Sequence, residues 1–260
     1  MILRAQGLTR TFGTAKRPVA ALRGVDLEVE RGQRLGIVGE SGSGKTTLVK
    51  LLAGLDRPTA GRVWFDGLDI TGLPESRLVG LRSSLQIVFQ DPRSSLDPRM
   101  KVGDIVTEPL RSRRLRRGLD AVDPHRRLAE VLEAVGLPAD SAERYPHEFS
   151  GGQRQRIAIA RALSCQPQVL VADEPVSALD VSVRAQVINL LSDLVDRQGL
   201  TLLFVSHDLG VVRHLCDSVV VLRAGQVVER GSAAEVFEHP STDYAKALVA
   251  AIPRIKQSKA

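Results

Sequence analysis

Five short apolar runs predict strands that are buried on both faces of a sheet. These runs are RLGIVG, SLQIVFQ, QVLVAD, TLLFVSHD and SVVVLRAG, and turn-forming residues bound each of them. Runs that are apolar throughout, rather than alternating, are typical of such strands. Helical patterns lie between them, over Lys45 to Gly54, Pro124 to Gly136, Ser150 to Leu163 and Val181 to Gln198. Strands that alternate with helices predict an α/β fold with a mainly parallel sheet.

The beginning of the chain and the segment after Gln90 follow other patterns. The stretches ILRAQGLTRTFG, AALRGVDLEVERGQ and GRVWFDGLDI alternate apolar and polar residues, which predicts an antiparallel sheet. Residues from about Asp91 to Cys165 carry helical patterns and predict a helical subdomain, introduced by DPRSSLDPRMKVGD as a loop. The tail, Ser232 to Ala260, is expected to form one or two short helices and a basic, frayed end.

Composition is that of an ordinary folded protein. Apolar residues make up 43% of the chain and charged residues 25%, which argues against disorder over most of its length. The aromatic share of 3% leaves little for the base stacking of single-strand nucleic-acid binders. Cys165 and Cys216 lie far apart and predict isolated buried thiols in a reducing compartment. No charged leader opens the chain and no run is long enough to span a bilayer, so we expect a cytoplasmic protein that reaches a membrane only through a partner.

The positive charge is modest and unevenly distributed. The net charge is +6, and much of the excess lies in RSRRLRRG, Arg111 to Gly118. A cluster of this kind can contact nucleic acid or an anionic membrane surface, or it can be a solvated helix or loop. The charge pattern leaves these alternatives open.

The stretch GESGSGKTT predicts a phosphate-binding loop. Its pattern Gly39-x-x-x-x-Gly44-Lys45-Thr46 follows a buried strand and opens a helix. Glycines let successive backbone N–H groups turn inward, and the start of the helix adds partial positive charge. Lys45 supplies a full charge for the β- and γ-phosphates, and the Thr46 hydroxyl can ligate Mg²⁺. The predicted nucleoside triphosphate site comprises Gly39, Glu40, Ser41, Gly42, Ser43, Gly44, Lys45, Thr46 and Thr47.

Side chains at the ends of three other predicted strands can complete this site. Asp173 can hold Mg²⁺ through water, and Glu174 can deprotonate a water that attacks the γ-phosphate, although two acids after a strand can also cap a helix. His207 follows TLLFVS, at the edge where ligands bind such sheets, and can hydrogen-bond the γ-phosphate. Gln90 ends LQIVFQ and carries an amide that can reach both Mg²⁺ and the water.

A second glycine-rich stretch, SGGQ, opens another predicted helix. Ser150 and the backbone of Gly151 and Gly152 would aim the electropositive end of that helix outward. A simple helix cap explains Ser150 but not two glycines and Gln153 in succession. The sequence therefore predicts a second phosphate-binding site, with a helix cap as the alternative.

Together these motifs resemble the ATP-binding subunits of ABC transporters. GESGSGKTT resembles their Walker A loop, VLVADE their Walker B strand and SGGQRQR their signature motif. Gln90 is similar to the Q-loop glutamine, SALD (Ser177 to Asp180) to the D-loop, and His207 to the switch histidine. The resemblance runs in order from about Leu3 to Gly231. It implies a P-loop NTPase (RecA-like) core with a mainly parallel sheet, an N-terminal antiparallel β subdomain and a helical signature subdomain.

The resemblance also implies a shared nucleotide site. Such subunits work as head-to-tail dimers, so the signature motif of one subunit would bind the ATP held by the Walker A loop of the other. Phe12 is implied to stack on adenine and Asp180 to lie at the nucleotide site. ATP and Mg²⁺ are the implied cofactors, with Glu174, His207 and Gln90 as catalytic residues. The residues implied as metal ligands are Thr46, Gln90 and Asp173.

The branch of the family and the partners follow from longer stretches. VFQDPRSSLDPRMKVGDIVTEPL, HEFSGGQRQRIAIARAL and HPSTDYAKALVAAIP are similar to oligopeptide, dipeptide and nickel importers. The resemblance implies a second ATPase subunit of the same or a paralogous chain, two transmembrane permease subunits contacted through Asp91 to Glu108, and an extracellular or periplasmic substrate-binding protein. It implies a place at the cytoplasmic face of the membrane and no nucleic-acid partner. The alternative is a non-transport ABC ATPase that acts on nucleic acid or ribosomes.

The expected domain organisation is one ATPase domain over residues 1–235. Its core covers about 1–90 and 166–235, its helical subdomain covers about 91–165, and 236–260 form a short helical extension.

Overall fold

The computed structural model describes residues 1–14, 17–91, 95–112 and 122–251. Two sheets carry the fold. The smaller has the strand order β2-β1-β4-β5 and is antiparallel; its strands are β1 (Leu3–Thr14), β2 (Arg17–Val29), β4 (Ala60–Phe65) and β5 (Leu68–Asp69). The larger has the order β10-β9-β3-β8-β7-β6; its strands are β3 (Arg34–Val38), β6 (Leu85–Val88), β7 (Val169–Asp173), β8 (Thr201–Ser206), β9 (Ser218–Arg223) and β10 (Gln226–Ser232). Neighbouring strands from β9 to β6 are parallel, and β10 is antiparallel to β9.

The larger sheet is buried on both faces, as its uniformly apolar strands predict. On β8, Leu202 and Phe204 belong to one hydrophobic cluster, and Leu203 and Val205 belong to another. Because successive side chains of a strand point to opposite faces, one strand contributes to both clusters. The first cluster packs most of the helices against one face, and the second packs the antiparallel sheet and the first helix against the other.

Most helix bounds agree with the sequence pattern. The helices are α1 (Lys45–Leu52), α2 (Val79–Ser84), α3 (Val102–Arg111), α4 (Pro124–Ala134), α5 (Gly151–Ser164), α6 (Val181–Gln198), α7 (Leu209–Leu215), α8 (Ala233–Glu238) and α9 (Asp243–Ala250). Helices α1, α4, α5 and α6 begin within one residue of their predicted starts. The α/β fold with a mainly parallel sheet and an N-terminal antiparallel sheet is confirmed.

The prediction of a loop from Asp91 to Asp104 is wrong for its last three residues, which belong to helix α3. Helix α3 begins at Val102, because Val102, Ile105 and Val106 form an apolar stripe that packs into the core. Residues 92–94 lie outside the described residues. In the predicted basic cluster, Arg111 is the last residue of α3 and forms an ion pair with Asp104 at 2.7 Å. Residues 113–118 of the cluster lie outside the described ranges. So do residues 252–260, where a frayed end is expected.

Both cysteines are buried and free, as predicted. Burial raises the pKa of the Cys165 thiol, and burial together with the adjacent Asp217 raises the pKa of Cys216 to about 12. A thiol with a raised pKa carries little thiolate at neutral pH, and the thiolate is the reactive form. Within the described ranges, no helix combines the length and apolarity needed to cross a membrane.

Candidate functional site

The phosphate-binding loop lies between β3 and α1 and depends on glycines at three positions. Gly39, Gly42 and Gly44 have φ values of 152°, 78° and 108°, in the region that L side chains rarely adopt. A Cβ at Gly39 would also lie 2.2 Å from the Leu222 carbonyl oxygen, and one at Gly44 would lie 2.6 Å from that of Ala21. Conformation and close packing therefore both require glycine at Gly39 and Gly44.

Lys45 is a buried ammonium at the centre of this loop. Only 5% of the residue is exposed, and its Nζ donates hydrogen bonds to the carbonyl oxygens of Gly39 at 2.8 Å and Glu40 at 2.9 Å. A carboxylate oxygen of Glu174 lies 4.0 Å from Nζ. Burial lowers the pKa of Lys45, while the negative charges of Glu174 and Asp173 oppose this change. An anion at this position would stabilise the charged ammonium.

Asp173 ends β7 beside the loop and fits a divalent cation. The residue is 6% exposed, and its Oδ1 is buried with no hydrogen-bond partner among the described residues. Burial raises the pKa of Asp173 and the charge of Glu174 raises it further, whereas the Thr46 hydroxyl and Lys45 act in the opposite direction. A carboxylate oxygen that lacks a donor, next to a hydroxyl, provides the hard oxygen ligands that Mg²⁺ prefers.

Glu174 and His207 come from the ends of adjacent parallel strands and touch. Nδ1 of His207 lies 3.1 Å from Oε2 of Glu174. The backbone of Glu174 is left-handed, with φ of 49°, and its N–H donates to the Val205 carbonyl oxygen at 2.9 Å. Non-glycine residues in this conformation cost free energy and cluster at functional sites. With this backbone conformation directly after β7, the carboxylate of Glu174 lies between His207 and the loop lysine, 4.0 Å from Nζ of Lys45.

Most of these groups line one cavity of about 640 Å³ at the carboxyl edge of the sheet, but the predicted site residues Gly39, Ser43 and Asp173 are not among its lining residues. Four predicted groups meet here: the loop residues, Gln90, Glu174 and His207. Ala21 on β2 also lines the cavity, and no sequence signal marked it, because an alanine in a strand carries no chemical pattern. The lining residues are Ala21, Glu40, Ser41, Gly42, Gly44, Lys45, Thr46, Thr47, Gln90, Glu174 and His207.

The SGGQ residues lie outside this cavity, at the start of α5. Ser150 and Gln153 form a reciprocal cap: the Ser150 hydroxyl oxygen accepts the Gln153 N–H at 3.3 Å, and the Gln153 side-chain oxygen accepts the Ser150 N–H at 2.9 Å. A Cβ at Gly152 would lie 2.2 Å from the Val183 side chain, and one at Gly151 would lie 3.3 Å from Leu179. The cap alternative is thus correct for Ser150 and also accounts for Gln153, so the expectation that a cap leaves Gln153 unexplained is wrong. Close packing on the start of α6 accounts for Gly152.

Asp180 caps α6 near these glycines. Its Oδ1 accepts the Val183 N–H at 3.0 Å and the Ser182 hydroxyl at 2.9 Å, and these hydrogen bonds lower the pKa of Asp180. Arg184, one turn into α6, donates to Asp208 at 3.1 Å and to the Leu179 carbonyl oxygen at 3.3 Å. Arg184 was not predicted, and it connects the Asp180 turn to the residue that follows His207.

Phe12 lies on β1 opposite Val19 and is not among the residues that line the cavity. The guanidinium of Arg10 covers its ring, 4.4 Å from the ring centroid. The residue is 41% exposed. Its stacking on an adenine base stays a prediction.

Comparison with known proteins identifies a family. Residues 22–177 match the family model described as ABC transporter. The dipeptide transport ATP-binding protein DppF of Haemophilus influenzae is 46% identical over 260 residues, which cover 98% of this chain and 79% of that protein. The oligopeptide transport ATP-binding protein OppD of Mycobacterium tuberculosis is 47% identical over 262 residues, which cover 98% of this chain and 42% of that protein.

The fold has a similar counterpart among solved structures. The ATP-binding cassette MJ0796, in a dimeric post-hydrolysis state bound to ADP and Pi, superposes with a TM-score of 0.78. The two sequences are 30% identical, and the superposition covers 89% of this chain and 99% of that chain.

Replacing Lys45 tests the loop. We expect Lys45→Ala to weaken the binding of a fluorescent ATP analogue by about 10-fold or more, because a hydrogen bond to a charged group contributes about 1.5–3 kcal/mol. Lys50→Ala, on the exposed side of the same helix, is the matched control and should bind normally. Equal affinities of the two variants would contradict the assignment of Lys45.

Proposed function

This chain belongs to the ABC transporter family of ATP-binding proteins and is an ATPase, and we propose that it energises the import of peptides through partner membrane subunits. The observation that carries the proposal is the identity of 46–47% to dipeptide and oligopeptide transport ATP-binding proteins over 98% of this chain. The cavity supports the ATPase part of the proposal, because the loop, Glu174 and His207 meet there in one molecule. We place the subunit at the cytoplasmic face of the membrane, held by two permease subunits and served by an external substrate-binding protein.

In the proposed reaction, Lys45 and the N–H groups of the loop hold the phosphates. Glu174 accepts a proton from the water that attacks the γ-phosphate, and the contact with His207 at 3.1 Å fixes the orientation of its carboxylate. Asp173 and Thr46, with Gln90 at the rim, would hold Mg²⁺, which when bound offsets the charge of the phosphates. Oδ1 of Asp173, which is buried and has no donor among the residues that the structure describes, supports that assignment.

We propose that two copies, or this chain and a paralogue, share each nucleotide head to tail. Ser150, Gly151, Gly152 and Gln153 would then bind the ATP held by the partner's phosphate loop, with Asp180 nearby. The position of SGGQ outside the cavity of its own chain supports this arrangement. Two or three hydrogen bonds to phosphate per signature, over two sites, contribute about 6–18 kcal/mol before the cost of association. Losing the γ-phosphate would remove most of them and reopen the dimer.

In the proposed domain organisation, the strands belong to the core and the helical segment in the middle of the chain forms a subdomain. The core would cover about 1–90 and 166–235, the helical subdomain about 91–165, and the extension 236–260. In support, the described residues from Val102 to Ser164 contain helices and no strand. The segment from Asp91 to Glu108 is our proposed contact for the permease.

Glu174→Gln tests the general base. We expect the variant to bind ATP normally and to hydrolyse it about 10²–10⁴-fold more slowly, since that is the usual contribution of a general base. The variant should accumulate an ATP-bound dimer on gel filtration. Glu133→Gln, on an exposed position of α4, is the control and should turn over at the wild-type rate. Normal hydrolysis by Glu174→Gln would show that another group takes the proton.

Ser150→Arg tests the shared site. The long cation replaces an exposed residue at the start of α5 and would block the approach of a second subunit. We expect ATP binding by the monomer to be unchanged and ATP-dependent dimerisation to be lost in light scattering. Ser150→Thr retains the capping hydroxyl and should dimerise. A normal dimer from Ser150→Arg would refute the head-to-tail arrangement.

Transport measurements test the cargo. Permease subunits that co-purify with the chain from its native membranes should, once reconstituted with it, take up labelled di- or oligopeptides in the presence of ATP. Glu174→Gln should stop this uptake. Uptake of Ni²⁺ in place of peptides would overturn the proposed cargo while leaving the ATPase assignment intact.

A further inference from the structure

Helix α9 brings a tyrosine hydroxyl to the phosphate-binding loop. The backbone N–H of Glu40 donates a hydrogen bond to the hydroxyl oxygen of Tyr244, with a separation of 3.2 Å. The guanidinium of Arg223, the last residue of β9, covers the Tyr244 ring at 4.7 Å from its centroid. A side chain more than two hundred positions along the chain therefore contacts the loop that is predicted to hold the phosphates.

The position of Tyr244 is fixed by a carboxylate on the edge strand β10. Glu229 accepts hydrogen bonds from the Ser241 N–H at 2.7 Å, the Thr242 N–H at 2.9 Å and the Thr242 hydroxyl at 2.6 Å. Thr242 in turn caps α9 by accepting the Ala245 N–H. Tyr244, Leu248 and Val249 pack against the core cluster. The start of α9 is thus attached to the sheet directly before Tyr244.

The turn between β9 and β10 holds the same loop at a second point. The Gly225 N–H donates to the Ser43 carbonyl oxygen at 2.9 Å, and the Gly225 carbonyl oxygen accepts the Arg23 N–H at 2.8 Å. The loop thus receives one hydrogen bond from the turn and donates another to α9, and β10, which follows the turn, holds the start of α9 through Glu229. Both contacts use backbone groups of the loop and involve neither its lysine nor its threonine side chains.

From these contacts we infer that the β9–β10 hairpin and α9 act as a brace that holds the phosphate-binding loop in its binding conformation, and that Tyr244 is a positioning residue for ATP. The loop carries three glycines at positive φ, so it has many conformations to lose when it closes on phosphate. Contacts that limit those conformations beforehand improve affinity without touching the ligand. The inference rests on the ATP site of the proposed function.

Tyr244→Phe tests the brace, because it removes the hydroxyl and keeps the ring that Arg223 covers. One neutral hydrogen bond corresponds to about a 2- to 10-fold change in an equilibrium constant. We expect the Kd of a fluorescent ATP analogue and the KM for ATP to rise by that factor, with kcat unchanged and the melting temperature lowered by at most a few degrees. Tyr145→Phe makes the same chemical change away from the cavity and should leave the affinity unchanged. If the wild-type chain binds ATP and Tyr244→Phe binds it with the same affinity, the inferred brace is wrong, while the proposed ATP site is unaffected.

Glu229→Ala provides the second variant. It releases the start of α9 but leaves the Tyr244 hydroxyl present, so it should also raise the Kd and KM. The affinity for ATP of a chain that carries both Tyr244→Phe and Glu229→Ala should be no lower than that of the weaker-binding single variant. Both substitutions act through the same contact with Glu40, so their effects should not add. Additive effects, or a fall in kcat at constant KM, would contradict the brace. A wild-type chain that binds no ATP would overturn the proposed function as well.

Discussion

Two opposite charges buried at the same edge of the sheet are the constraint on which the site depends. Lys45 and Asp173 are 5% and 6% exposed. Lys45 donates to two uncharged carbonyl groups, with a carboxylate oxygen of Glu174 no nearer than 4.0 Å, and Oδ1 of Asp173 has no donor among the described residues. Burial lowers the pKa of Lys45 and raises the pKa of Asp173, and both changes favour the neutral form of the side chain. A phosphate beside Lys45 and a cation beside Asp173 would stabilise the charged form of each, which supports the proposed binding of a triphosphate together with Mg²⁺.

The parallel sheet explains how residues so far apart in sequence meet. The loop after β3, Glu174 after β7, His207 after β8 and Gln90 after β6 all leave the sheet at its carboxyl edge. Because β8 lies between β3 and β7, it places His207 beside both the loop and Glu174. The two hydrophobic clusters hold this order from both faces, so the geometry of the site follows from core packing.

Strands and helices with strong local patterns could be predicted from the sequence, and so could the cavity residues that belong to known motifs. Strand β10 could not, because QVVERGS is a half-buried edge strand without a clear alternation. Its turn, Ala224–Gly225, also lacks the Asn-Gly or Asp-Gly pair that marks such hairpins, although Ala224 adopts φ of 47°. The contacts of Ala21, Arg184 and Tyr244 with the site are long-range, and no local pattern encodes them.

Because both native thiols are buried, a cysteine introduced at the surface can be labelled selectively. Maleimide reagents attack thiolates, and burial raises the pKa of both Cys165 and Cys216, which lowers the thiolate share of each at neutral pH. A cysteine introduced at Val181, whose side chain is 81% exposed next to Asp180, would therefore carry a fluorophore or spin label alone. Distances between such labels on two subunits could be followed through a catalytic cycle in the otherwise natural sequence.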